Sequence, residues 1–80
     1  MHEETIREIL TKHSKLSVDL SRLANDSDLY EAGLTSLTTV NVMLAIEDHF
    51  DVEFEDSMLA RVTFQSVDSL VGAVEQLLDT

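Results

Sequence analysis

Ser36 is the residue whose type and position most directly suggest chemistry, because it follows a glycine-bearing loop and stands where a helix is predicted to begin. A hydroxyl there could cap the helix, act as a nucleophile or serve as an attachment point. A serine hydrolase is not expected. The segment 33–37 lacks the second glycine of a G-x-S-x-G elbow, and no histidine is placed to act as the base. If Thr35 is the cap, the Ser36 hydroxyl can face water at a positive helix end that suits a phosphodiester.

Carboxylates are the other side chains that could do chemistry. Six of them crowd into one short segment, namely Glu47, Asp48, Asp51, Glu53, Glu55 and Asp56. An EF-hand calcium loop starting at Asp51 would need glycine at position 56 and glutamate at position 62, where the sequence has Asp56 and Val62. We therefore expect no metal site. We expect no catalytic residue either, because a carboxylate pair needs a cleft that the sequence does not suggest. The favoured interpretation is a basic protein partner that is attracted by charge.

The whole chain is acidic, with sixteen Asp and Glu residues against five Lys and Arg residues and a formal net charge of -11. Such a charge repels nucleic acid and anionic membrane surfaces, so neither is an expected partner. The sequence has no cysteine and three scattered histidines, which excludes disulfides and argues against zinc. It also lacks an apolar run of about 18 residues. We expect a single domain over residues 1–80 that is monomeric and cytoplasmic.

Helical periodicity predicts an all-α bundle of three main helices and one short helix. The main helices are expected over residues 3–12, from position 35 or 36 to position 50, and over residues 67–78. The short helix is expected over residues 56–59. The long polar stretch of residues 14–33 is expected to be pinned across the core by its own apolar side chains.

The second helix carries two groups of apolar residues, roughly 150° apart around its axis. The first group comprises Val42, Met43, Ile46 and Phe50, and the second comprises Leu37, Val40 and Leu44. Only one group can enter the core of so small a domain, so we expect the first to be buried and the second to contact a partner. The rest of the expected core comprises Leu34, Val62, Val67, Leu70, Val71, Val74, Leu77 and Leu78. Gly72 is expected to permit close packing, and His13 is a candidate for the apolar face of the first helix.

Two stretches, DLYEAGLTSLTTVNVMLAIEDHFDVEFED and VTFQSVDSLVGAVEQLL, together resemble the acyl carrier proteins across essentially the whole chain. The resemblance implies an acyl-carrier-like bundle that is a carrier and not an enzyme. It implies that Ser36 bears 4'-phosphopantetheine through a phosphodiester, and that the terminal thiol of this arm holds a substrate as a thioester. It also implies a partner-binding surface, made of Leu37, Val40, Asn41, Leu44, Glu47, Asp48 and Glu53.

The resemblance also implies partners and a cargo. The partners are a phosphopantetheinyl transferase, a ligase that loads the cargo, and a downstream transferase or synthase. The segments TIREILTKHSKL, DLYEAGLTSL, NVMLAIEDHFDVEFED and LARVTFQSV look closer to the aminoacyl carrier proteins than to fatty-acid carriers. Ligases of that subgroup resemble class II seryl-tRNA synthetases without the tRNA-binding arm. The resemblance therefore favours an aminoacyl cargo and a ligase of this kind.

The sequence departs from the family at Thr35, where most bacterial acyl carrier proteins have aspartate. Threonine keeps the cap and loses the charge. The triplet Asp68-Ser69-Leu70 matches the usual motif, but it lies inside the last predicted helix without a preceding Gly-Leu, so we interpret it as a chance match. Three alternatives stay open: an ordinary acyl carrier of the fatty-acid or polyketide type, an unmodified acidic interaction module, and an acidic metal-sensing domain.

Overall fold

The computed structural model describes residues 2–16 and 18–79, and in these residues the fold is all-α. Its helices are α1 (Glu3–His13), α2 (Ser36–Phe50) and α3 (Val67–Leu78). Three short 3₁₀ turns, Leu20–Arg22, Asp56–Met58 and Arg61–Phe64, lie in the connections. The three predicted main helices are confirmed. The predicted short helix over 56–59 is a 3₁₀ turn, and a second 3₁₀ turn follows it. None of the helices in the described ranges has the length and apolarity needed to span a bilayer.

Helix α1 forms because its apolar residues recur at helical spacing and its terminal charges suit the helix dipole. Ile6, Ile9 and Leu10 are buried. Acidic residues occupy the first turn and basic residues the last turn, where each sign of charge is favourable. His13 is exposed in that last turn, so it does not extend the apolar face.

Helix α2 begins and ends at clear backbone signals. The Thr35 side chain accepts a hydrogen bond from the Thr38 backbone N–H at 3.2 Å, and the Thr38 hydroxyl accepts one from the Thr35 N–H at 2.9 Å. This capping box fixes the first turn. At the other end, Asp51 adopts a left-handed conformation with φ 55°, which ends the helix. Along its buried side, Val42 and Ile46 are completely inaccessible to solvent.

Helix α3 is capped by Ser66, as predicted, and buries Val67, Leu70 and Val71 against the other helices. Two details of the prediction are wrong. Leu78 is exposed in the last turn rather than buried. Gly72 is exposed, and a Cβ atom built there would meet no atom within 4 Å, so no close packing depends on this glycine.

The core lies between the three helices, and the connections complete it. Three of its side chains come from the segment between α2 and α3, namely Phe54, Met58 and Phe64. The rings of Phe54 and Phe64 stack with their centroids 5.5 Å apart. Val62 is 66% exposed, so the prediction that it belongs to the core is wrong. It lies in a 3₁₀ turn whose buried residue is Phe64.

The long connection before α2 is held across the core by buried apolar residues, as expected. Leu20, Leu29 and Ala32 are buried within it. Arg7 of α1 adds hydrogen bonds that were not anticipated. Its guanidinium donates to the carbonyl oxygens of Leu20 at 2.9 Å and of Leu23 at 2.8 Å.

Further bonds attach the same connection to the start of α3. The Arg7 guanidinium also donates to the Asn25 side-chain oxygen at 2.7 Å. The Asn25 carbonyl then accepts a hydrogen bond from the Asp68 N–H at 2.9 Å, and the Leu29 N–H donates to the Gln65 carbonyl at 2.7 Å. These bonds hold the connection that precedes α2 against both α1 and the start of α3. They thereby position its last residues at the start of α2.

Candidate functional site

Ser36 is the first residue of α2, and it is exposed. The cap of the helix is Thr35, so the capping role considered for Ser36 is already filled. The Thr35 carbonyl accepts a further bond from the Thr39 hydroxyl at 2.7 Å, which reinforces the first turn. The Ser36 hydroxyl is thus presented to solvent on a rigid helix start.

The approach to Ser36 is fixed by the two residues before the cap. Gly33 has φ 118°, a conformation that side-chain-bearing residues rarely adopt. Leu34 is buried, and its N–H donates to the Leu29 carbonyl at 2.9 Å. A turn that only glycine tolerates well, followed by an anchored leucine, therefore sets the direction in which α2 starts.

Acidic residues are absent from the stretch of sequence that contains Ser36. The first turn of α2 contains no acidic residue, and residues 32–46 contain none at all. The amino end of a helix carries a partial positive charge from its aligned peptide dipoles. A negatively charged group attached to Ser36 would therefore meet a favourable field and no carboxylate in α2's first turn.

A cleft of about 420 Å³ opens beside Ser36, between α2 and the 3₁₀ turn Arg61–Phe64. Its apolar walls include Val40, Met43 and Phe64. Tyr30 and Arg61 also line it, and the Arg61 guanidinium carbon lies 4.0 Å from the centre of the Tyr30 ring. The volume falls within the range of small-ligand clefts.

The second apolar group of α2 is exposed, as predicted. Leu37 is 74% exposed, Val40 47% and Leu44 54%, whereas Val42 and Ile46 are completely buried. We call the three exposed residues the apolar stripe. Such a contiguous apolar row on one helix is typical of a surface that another protein covers.

The expected polar partner residues differ in their surroundings. Asn41, Asp48 and Glu53 are exposed. Glu47 is only half-exposed, and its carboxylate oxygen Oε2 accepts a hydrogen bond from the Phe54 N–H at 2.9 Å. Glu47 therefore holds the chain that follows α2, a role that the sequence did not reveal because the two residues are seven positions apart.

The competing serine, Ser69, has a structural task. It is half-buried at the third position of α3, and its hydroxyl donates to the Thr63 carbonyl at 2.8 Å and accepts from the Ser66 N–H at 3.0 Å. The bond from the Ser66 N–H belongs to the capping box of α3, and the bond to Thr63 ties the start of α3 to the preceding 3₁₀ turn. This arrangement supports the interpretation of Asp68-Ser69-Leu70 as a chance match.

Within residues 2–16 and 18–79, no group of three or more His, Cys, Asp or Glu side chains is placed to hold a metal ion. Hydrogen bonds from the Ser21 N–H and hydroxyl lower the pKa of Asp19, which lies in the connection and far along the chain from Ser36. Neither observation adds a reacting group to the neighbourhood of Ser36.

Comparison with known proteins gives a consistent result. The family model described as "Phosphopantetheine attachment site" matches residues 4–74. An aminoacyl carrier protein of Agrobacterium fabrum is 44% identical over 75 residues, which is 94% of this chain and 90% of the relative.

Two solved structures extend the comparison. One is the complex of an engineered Bradyrhizobium japonicum glycine:[carrier protein] ligase with a carrier protein from Agrobacterium tumefaciens and AMP. It is matched with a TM-score of 0.88 and 42% identity, over 91% of this chain and 97% of the other. The other is the solution structure of a holo acyl carrier protein from Nitrosomonas europaea. It is matched with a TM-score of 0.86 and 32% identity, over 100% of this chain and 99% of the other.

Proposed function

We propose a function for this chain from one premise: it belongs to the family of proteins that have a phosphopantetheine attachment site. It is a carrier protein and not an enzyme, and its prosthetic group is 4'-phosphopantetheine. When bound, this group supplies a terminal thiol, which the chain itself lacks because it has no cysteine. What remains to be proposed is the attached residue, the cargo and the partners.

Ser36 is the residue to which we assign the arm. This assignment rests on the different roles of two neighbouring hydroxyl residues. Thr35 caps α2, and Ser36 is left exposed beside it. The residues present fit the group. Ser36 offers an accessible oxygen for the phosphodiester, and the acid-free helix start favours its negative charge. Threonine at position 35 keeps the cap that the usual aspartate would provide, and it loses the charge.

The cargo that we propose is an amino acid. The support is the 44% identity to an aminoacyl carrier protein and the 42% identity to a carrier protein bound to a glycine:[carrier protein] ligase. We propose that a ligase of this type, similar to a class II seryl-tRNA synthetase without its tRNA-binding arm, loads the chain in the cytoplasm. A phosphopantetheinyl transferase acts before that ligase, and a downstream transferase or synthase acts after it.

The surface that we propose for docking these enzymes is the apolar stripe with its polar surroundings. Leu37, Val40 and Leu44 supply apolar area that is not covered by the chain itself. The exposed Asn41, Asp48 and Glu53, together with Glu47, flank it. The negative charges of Glu47, Asp48 and Glu53 suit a basic partner surface, which would speed association and set orientation more than it would raise affinity.

An ordinary acyl carrier is the second candidate, and two observations favour it. The chain is 32% identical to a holo acyl carrier protein over its full length, and the cleft beside Ser36 has apolar walls that suit a hydrocarbon chain. Loading with fatty acyl groups and failure with every amino acid would select this candidate.

Intact-mass measurement tests the assignment. After incubation with coenzyme A and a phosphopantetheinyl transferase, the parent chain should gain one phosphopantetheinyl group, and Ser36→Ala should gain none. Ser69→Ala is the matched control, because it removes the competing serine and should still be modified. Holo chain is then incubated with ATP, each amino acid and the ligase. One added aminoacyl group supports the proposed cargo, whereas a parent chain that accepts no arm contradicts the proposal and favours an unmodified acidic module.

A further inference from the structure

Arg61 stands apart from the other cations of the chain. The remaining four Lys and Arg residues all fall within the first 22 positions, so Arg61 is the sole Lys or Arg of the last 58. Twelve of the sixteen acids share that part of the chain. An exposed guanidinium among so many carboxylates would be expected to pair with one of them.

Arg61 does not pair with an acid in the described part of the chain. Its contact is with the face of the Tyr30 ring, at 4.0 Å from the guanidinium carbon to the ring centre. A cation over an aromatic face is held there without losing its charge. The guanidinium therefore keeps its hydrogen-bond donors available for an anion.

The position of Arg61 relates it to the attachment site. Arg61, Tyr30 and Ser36 all line the cleft of about 420 Å³, and among the described residues that line it Arg61 is the single charged one. Residues 32–46 contain no acid, so α2 brings no carboxylate into this neighbourhood to compete for the guanidinium.

We propose that Arg61 is the carrier's own binding partner for the phosphodiester on Ser36, an inference that rests on the proposed function. A phosphodiester is a singly charged anion at neutral pH, and a planar guanidinium with paired donors matches two of its oxygens. The contact with the Tyr30 ring holds the guanidinium in position. The contact between Arg61 and the phosphodiester fixes the root of the arm at the cleft and leaves the distal thiol free to reach a partner's active site.

The experiment compares apo and holo forms of the parent chain, Arg61→Gln, Arg61→Lys and Arg22→Gln. Arg22 is the matched control, because it is exposed, does not line the cleft, and its replacement removes the same charge from the whole molecule. Two NMR signals are followed, the phosphorus-31 resonance of the phosphodiester and the Nε–Hε resonance of Arg61. A third measurement is the difference in melting temperature between holo and apo forms.

Three results are expected together. The Arg61 Nε–Hε resonance shifts when the arm is added. The phosphorus-31 resonance of holo Arg61→Gln differs from that of the parent, Arg22→Gln matches the parent, and Arg61→Lys falls between them. Adding the arm raises the melting temperature of the parent and of Arg22→Gln by roughly 2–5 °C more than it raises that of Arg61→Gln. A difference of this size is expected for a contact of fractions of a kcal/mol in so small a domain.

The failure of this inference can be told from the failure of the proposed function. An Arg61→Gln chain that carries the arm on Ser36 and has the parent's phosphorus-31 resonance overturns the role of Arg61 and leaves the carrier function standing. A parent chain that takes up no arm at Ser36, as judged by its mass, overturns both.

Discussion

The hydroxyl of Thr35 and the hydroxyl of Thr38 lie 3.0 Å apart, and each accepts a hydrogen bond from the other residue's backbone N–H. This reciprocal pair satisfies two donors at the start of α2. It leaves Ser36, which directly follows Thr35 in the sequence, without a capping role. Stability and attachment are therefore assigned to separate side chains.

The first prediction follows from that separation. Thr35→Ala should lower the free energy of unfolding by about 1 kcal/mol, because a capping side chain is lost. Ser36→Ala should change it by less than about 0.5 kcal/mol, as for an exposed residue away from special features. Urea unfolding of the two variants measures both. Equal losses would mean that Ser36 shares the cap.

The second prediction concerns the two sides of α2. Ile46→Ala should cost about 2–5 kcal/mol of unfolding free energy, because Ile46 is completely buried. Leu37→Ala should leave the fold nearly unchanged but weaken binding to the ligase roughly tenfold or more, as expected for an apolar contact near the centre of an interface. Urea unfolding and calorimetric titration with the ligase separate the two effects. The reverse ranking would mean that the stripe is not the docking surface.

The third prediction concerns Glu47, which is bonded within the chain although we expected it to face partners. Glu47→Ala should destabilise the fold by about 1–2 kcal/mol, because the Phe54 N–H loses its acceptor. Asp48→Ala is the control, since it removes the same charge from an exposed neighbour and should be nearly neutral. If urea unfolding gives the two variants the same stability, the hydrogen bond from Phe54 contributes little.

The fourth prediction corrects the role first expected of Gly72. Gly72→Ala should stabilise the chain by about 1 kcal/mol, because alanine is the better helix former. A Cβ atom at this position meets nothing within 4 Å, so no steric cost opposes the gain. The change should raise the melting temperature by roughly 4–8 °C. A lower melting temperature would show that the glycine is needed for packing after all.

The helices and the exposed hydroxyl could be predicted from the sequence because their signals are local. Apolar residues at helical spacing defined α1, α2 and α3, and hydroxyl residues before α2 and α3 supplied the caps. The two groups of apolar residues on α2 also follow from spacing alone. The argument that a small domain has one core predicts that only one of the two groups is buried.

The connections could not be predicted in the same way. In a short 3₁₀ turn three residues complete one revolution, so there is no repeating pattern to show which residue points inward. The sequence therefore does not show that Phe64, and not Val62, is the buried residue of this turn. Contacts between distant residues were equally hidden. Arg7 binds a carbonyl thirteen residues away, and Arg61 lies over a ring from the connection before α2.

The most direct test of Ser36 as the tether is to identify which residue of the chain bears the arm. Holo protein is fragmented in a mass spectrometer, and the fragments are read for the residue that bears the added phosphopantetheinyl group. We predict that Ser36 bears it in every modified molecule. Finding the group on Ser69, or on any other hydroxyl, would show that Ser36 is not the tether.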